Sequence, residues 1–149
     1  MISKLARSLR SDQTAAAAVE FALIGPLFLT LFMGVMQVGI GMQNYNALRS
    51  ISADTARYAV VNYQHSNMLT AIQLQDYARN VAKAPPYGLE TTGQPARFDA
   101  FVSTPATQRV AGAAEFQIRL TYRVRTWLGV IGIGEIPLTY TRPIFVIPS

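Results

Sequence analysis

Residues 15–42 read AAAAVEFALIGPLFLTLFMGVMQVGIGM, and the rest of the chain is arranged around them. From Phe21 to Met42 no residue carries a formal charge, a run of about 22 residues. At a rise of about 1.5 Å per residue, a helix of that length covers the roughly 30 Å hydrocarbon core of a bilayer. One acid, Glu20, stands at the leading edge of the run. A carboxylate inside hydrocarbon is costly, so such groups are usually paired and functional. At headgroup level the same residue needs no partner, and position alone allows both placements.

The segment before the run, MISKLARSLRSDQT, holds three bases, Lys4, Arg7 and Arg10, and one acid. This excess beside the span predicts that the N-terminal end stays in the cytoplasm and that the rest of the chain is carried outward. An ordinary signal peptide shares the basic start, but its apolar region runs only about 7–15 residues before a small-residue cleavage site. Here the apolar run is longer, and its small residues, Ala15–Ala18, come before it. Any processing is therefore expected at the cytoplasmic edge. Within the run, Phe21, Pro26 and Gln37 are the candidate packing positions. Proline removes a backbone donor and crowds the preceding turn, which predicts a kink near Ala22–Pro26. Gln37 is a polar group at membrane depth that seeks an interhelical hydrogen bond, and the glycines of the span let another helix approach.

Beyond Met42 the helical pattern continues without Gly or Pro as far as Tyr63 and becomes amphipathic. Leu48, Ile51, Thr55 and Ala59 share one face, while Arg49, Asp54 and Arg57 take others. The expectation is a single helix from about Ala16 to Val61, roughly 70 Å long, ended by the polar stretch 62–67. A second helix is expected over 69–84, with Leu69, Ile72, Tyr77 and Val81 at helical spacing, stopped by Pro85-Pro86. After a loop at 87–96, strands are expected at 97–103, 115–125 and 138–147. Phe116, Ile118, Leu120, Tyr122 and Val124 alternate with polar partners in the second, and Pro143 gives the third an edge position. Residues 128–136, LGVIGIGEI, read as a glycine-punctuated apolar loop without a phosphate-binding pattern. The class is α+β: a long membrane-spanning helix continued as a stalk, one shorter helix, and an antiparallel sheet of about three strands. The expected divisions are a leader, 1–15, a transmembrane helix, 16–42, and an extracytoplasmic domain, 43–149, whose stalk is 43–62.

Composition removes several function classes. Hydrophobic residues make up 50% of the 149 and charged residues 14%, the balance of one anchor joined to a small domain. The net charge is +5, but beyond residue 14 ten bases face seven acids. Arg119, Arg123 and Arg125 are spaced along a strand, so no nucleic-acid face is expected. Cysteine is absent, which excludes disulfides and thiolate metal sites. The single histidine, His65, lies in a polar linker. Asp99, Glu115 and Glu135 are dispersed and read as solvated surface acids. With no nucleophile–base pair and no metal-ligand cluster, the chain is expected to be no enzyme and to need no metal, no cofactor and no small-molecule substrate.

The run AAAAVEFALIGPLFLTLFMGVMQVG, followed by SADTARYAV, resembles the TadE-like proteins of the tight-adherence (Tad/Flp) pilus systems over about Ala15 to Val61. What carries the resemblance is a run of small residues, then Val19-Glu20-Phe21-Ala22-Leu23, then Pro26 in an aliphatic span. The family is similar to type IV pilins, in which a membrane prepilin peptidase removes a cytoplasmic leader and an acid lies fifth in the mature chain. That implies Ala15 as the last leader residue, Ala16 as the first mature residue, and Glu20 as an assembly and register residue that can pair with a neighbouring subunit's α-amino group. The sequence departs from the family in two places: Ala15 stands where the leader usually ends in glycine, and Gln37 where relatives often carry glutamate. The resemblance implies a minor pilin or pseudopilin, single-pass in a bacterial inner membrane, whose partners are the peptidase, other pilin-like subunits and Tad assembly proteins. The alternative is an uncleaved, signal-anchored envelope protein that binds a ligand or scaffolds a complex.

Overall fold

The computed structural model describes residues 13–89, 92, 96–127, 129, 132 and 134–147; the leader bases Lys4, Arg7 and Arg10 lie outside the described residues. The elements run in the expected order. A helix, α1, spans Gln13–Gln64, and a second, α2, spans Ala71–Lys83. Three strands follow, β1 (Phe98–Ser103), β2 (Ala114–Arg125) and β3 (Glu135–Val146), paired antiparallel in the order β1-β2-β3. The fold divides into two compact units, Met1–Gly39 and Ile40–Ser149, and α1 contributes to both.

In the second unit the outer half of α1 buries Leu48, Ile51, Ser52, Thr55, Ala59 and Tyr63. These positions recur every three or four residues, so one helical face meets the core. Thr55 is tolerated there because its hydroxyl donates to the Ile51 carbonyl at 2.8 Å. At the end of the helix the side chain of Asn62 joins the backbone in satisfying the last carbonyls: Asn62 Nδ2 donates to the Tyr58 carbonyl at 2.8 Å, and the Asn67 backbone N–H donates to the Asn62 carbonyl at 2.9 Å. His65 is exposed, with its Nδ1 2.8 Å from the Val61 carbonyl, so it serves this helix end.

α2 is opened by a capping box. Thr70 Oγ1 accepts from the Gln73 amide at 3.3 Å while the Thr70 amide donates to Gln73 Oε1 at 2.8 Å, satisfying two donors that the first turn leaves free. Its buried stripe is Leu74, Ala78 and Ala82, whereas Ile72 is 70% exposed. The expected apolar face is thus rotated. Two alanines at four-residue spacing leave no bulk between the backbone and the sheet, which makes them the better packing face, and α2 lies against β1.

The sheet presents one face to the helices. Phe98, Ala100, Val102, Phe116, Ile118, Leu120, Ile144 and Val146 all join the core, in rows such as Ala100–Leu120–Tyr140 set by the register. Tyr63 meets Phe116 edge-on at 6.1 Å, and Tyr58 stacks on Tyr77 at 3.9 Å, in the range that favours aromatic contacts. Tyr87, in the stretch read as loop, donates to Asp54 Oδ2 at 2.8 Å. Burial, and after it that carboxylate, push the Tyr87 hydroxyl up from its ordinary value.

β3 begins at Glu135, three residues before the expected start, because the ladder continues through Val124↔Ile136 and Arg125↔Glu135. Of the glycine-rich loop read ahead of it, residues 128, 130, 131 and 133 lie outside the described residues. The edge placement of the strand also explains its prolines. The Arg123 amide donates to the Arg97 carbonyl at 2.8 Å and the Thr126 amide to the Gly134 carbonyl at 3.2 Å. Odd residues of β2 therefore bond toward β1 and even residues toward β3. Across the register, the odd residues of β3 turn their backbone groups to the free edge. Pro137 and Pro143 are both odd, so neither removes a ladder bond.

Glu115 departs from its reading as a solvated acid. Its side chain is only 2% exposed, on the sheet face away from the core, because the 104–113 loop folds back over it through Gly112 at φ +79°. The Arg109 amide donates to Glu115 Oε2 at 3.1 Å and the Arg109 Nε to Oε1 at 2.8 Å, with Nη2 on the same oxygen. The guanidinium also lies 5.4 Å from the Phe145 ring centroid. Hydrogen bonds from Arg109 hold the Glu115 carboxyl below its ordinary value. A carboxyl so lowered stabilises the fold at pH above its unfolded value, about 4.3, and loses that contribution as pH falls through the folded value. Glu115→Gln is expected to lower the urea midpoint of the detergent-solubilised chain at neutral pH. Titration below pH 4 should close the gap, and a constant gap would detach the ion pair from stability.

Candidate functional site

The first unit is built from the apolar half of α1. Its residues are apolar on every side, the pattern of a helix inside either a large core or a membrane. Exposure decides between these. From Phe21 to Val38 every large apolar side chain is at least 46% exposed, and Phe21 reaches 78%. No part of the most apolar window of the helix is covered, so this half of α1 is not part of a core, and α1 is long and apolar enough to cross a membrane. Burying a Leu or Phe side chain is worth about 1.5–3 kcal/mol. This surface therefore calls for lipid or for other helices along its whole length.

Glu20 is exposed and stands one turn after Ala16, at the start of that surface. Ala15 and Ala16 are both helical. Phe21 and Pro26 share an open groove of about 560 Å³ whose other walls include Ile24, Phe28 and Leu29, with no polar side chain. Proline is accommodated inside α1, and Thr30 Oγ1 donates to the Pro26 carbonyl at 2.8 Å, so the hydroxyl adds no unsatisfied group to the apolar surface. Gln37 is the exception, only 6% exposed among exposed neighbours. The places that a Cβ would take at Gly34, Gly39 and Gly41 are open, so this chain's own packing does not demand glycine there.

The arrangement is one carboxylate at the head of a bare apolar helix. Residues 15–57 match the family model for TadE-like proteins. The matched segment thus starts at the alanine run and ends inside the amphipathic half of α1. It takes in Ala15, Ala16, Glu20, Phe21, Pro26 and Gln37, and it stops before α2 and the sheet. No curated protein and no solved structure matches the chain.

The described residues contain no group of three or more His, Cys, Asp or Glu side chains placed to hold a metal. Asp99 accepts from Arg79 Nη2 at 3.1 Å on the surface, and Glu135 is exposed at the start of β3. The residues missed in the sequence are Arg109 with Glu115, and Tyr87 with Asp54. The first pair is separated by a turn whose geometry depends on Gly112, and the second by 33 residues. Neither spacing carries a local signal.

Proposed function

We propose that the chain is a minor pilin or pseudopilin of a Tad-type, type IV-like pilus assembly system, acting by helix packing without catalysis. The observation that carries this reading is Glu20 at the head of an exposed, uncharged helix inside the TadE-like match. In this account the leader with Lys4, Arg7 and Arg10 stays cytoplasmic, α1 crosses the inner membrane once, and residues from about Gln43 onward form the outer domain. Prepilin peptidase cuts between Ala15 and Ala16. Glu20 then lies in the first turns of the mature helix, where a negative charge is favoured by the helix dipole. It pairs with the α-amino group of Ala16 in a neighbouring subunit, and the pairing selects one helix register. Phe21, Pro26 and Gln37 pack against other pilin-like helices, and the open surface at the span glycines lets them come close.

Ala15 is the place where the uncleaved, signal-anchored alternative gains support, since it replaces the usual glycine. The two readings part on a time course of leader loss beside the active peptidase, read by intact mass. Small residues at the scissile bond predict that Ala15→Leu slows removal at least about tenfold while Ala15→Gly does not slow it. Equal behaviour of Ala15→Leu and the wild type would remove the cleavage site from the account.

A further inference from the structure

Within the second unit a groove runs between the outer half of α1 and the free-edge strand β3. One part, about 500 Å³, is floored by Ala53, Ala56 and Val60 and closed by Arg57 and Phe145; the adjoining part, about 360 Å³, reaches Asn46 and Arg49. Arg142 and Ala53 line both parts.

Arg142 is the informative residue. The register places it third in the row Val102–Ile118–Arg142, on the sheet face that packs toward the helices, where its strand neighbour Ile144 is buried and Tyr140 packs on the core. Arg142 is half-buried in that row, and Arg49 and Arg57 are exposed at the groove's rim, so a guanidinium partly withdrawn from water there gains from a charged partner. Yet among the described residues no carboxylate lies within 4.0 Å of Arg142, Arg49 or Arg57. Three cations thus line one groove with an apolar floor.

We infer that this groove docks an acidic amphipathic helix of a partner protein. Strand addition is disfavoured because Pro137 and Pro143 remove two of the donors on the β3 edge, leaving only the Thr139 and Thr141 amides between them. The small floor at Ala53 and Ala56 admits a helix closely, and Arg49, Arg57 and Arg142 select for carboxylates. A second copy of this chain is a poor occupant, since its outer part carries more bases than acids. Anionic headgroups fit less well than a protein. Arg49 and Arg57 are eight residues apart on α1, about 12 Å along its axis, whereas a headgroup layer is about 5–8 Å deep. The inference stands apart from leader cleavage and from Glu20.

The test places benzoyl-phenylalanine at Val60 in the full chain, in membranes of cells that carry the complete assembly system, and identifies the photo-adduct by mass spectrometry. The expected adduct is a helical segment of another protein with net negative charge. Its yield should fall more than about tenfold, the equivalent of about 1.4 kcal/mol, in Arg57→Glu/Arg142→Glu and in Ala53→Trp. The milder pair Arg57→Gln/Arg142→Gln, which keeps the side chains' bulk, should show the same loss with an unchanged near-UV spectrum. Adducts to a second copy, to lipid or to a neutral or basic segment would overturn the inference. So would the absence of any adduct, or a yield that the milder pair leaves unchanged.

Discussion

Glu20→Ala leaves the chain in the membrane fraction at wild-type level and lowers its assembled fraction more than about tenfold. The two readouts separate because they depend on different physics. Insertion follows the apolar run after Glu20, whose side chains stand open from Phe21 to Val38. Removing a charge at its edge does not hinder insertion, since an ionised side chain opposes transfer, by about 2.5–3.5 kcal/mol at the helix centre and by less towards the interface. In the proposed assembly, the register depends on a charge pair of Glu20 that forms away from water. Breaking one partner of a buried pair costs about 3–5 kcal/mol, and about 1.4 kcal/mol already gives a tenfold loss. Fractionation with quantitative blotting, for the wild type and Glu20→Ala side by side, gives both numbers. Parallel loss in both fractions would make Glu20 an anchoring residue and take away its register role.

The second compact unit, Ile40–Ser149, is equally sensitive at a different place. Ile118→Ala is expected to destabilise it by about 2–5 kcal/mol, the range for deleting a fully enclosed branched side chain. Ile118 is 0% exposed, between Val102 of β1 and Arg142 of β3 in the register, so neighbours on both strands lose contacts and the sheet cannot close the gap from one side. For a domain of about 100 residues the thermal midpoint should fall by more than about 10 °C. Phe101→Ala, on the opposite face of β1 and 55% exposed, should change stability by less than about 0.5 kcal/mol. Near-UV circular dichroism through a thermal ramp on the detergent-solubilised chain measures both. Equal shifts would mean that the sheet face assigned to the core is not the one that stabilises it.

The parts of the fold that were legible in the sequence are those with a period. β2 alternates because one face is buried, so Phe116 through Val124 announced both the strand and its inner side. The apolar run after Glu20 and the stripe of Leu48, Ile51, Thr55 and Ala59 announced α1 in the same way. Pro143 was legible as an edge signal, and the register shows why it and Pro137, which lay ahead of the expected strand, both fall on the free side of β3. What had no period was not legible. The start of β3 at Glu135 is decided by pairing with Arg125, beyond any local pattern. The burial of Glu115 depends on a loop returning over it, and the exposure of Ile72 on which side of α2 offers alanine to β1. Arg142 has no local signal either; only the pairing with Ile118 puts it in the row that runs on to Val102. At the candidate site, the order of small residues, Glu20 and Pro26 is a linear feature, so the resemblance to TadE-like proteins was legible in it, and the matched residues 15–57 take in all of it.

In the proposed function the span is an assembly element freed of its leader between Ala15 and Ala16, and the sequence of the mature N-terminus decides this. The chain, produced with the matching prepilin peptidase and with its inactive variant, is recovered from membranes and sequenced from its N-terminus. Ala16 as the first residue with active enzyme, and Met1 with inactive enzyme, is the predicted result; Met1 in both would contradict it.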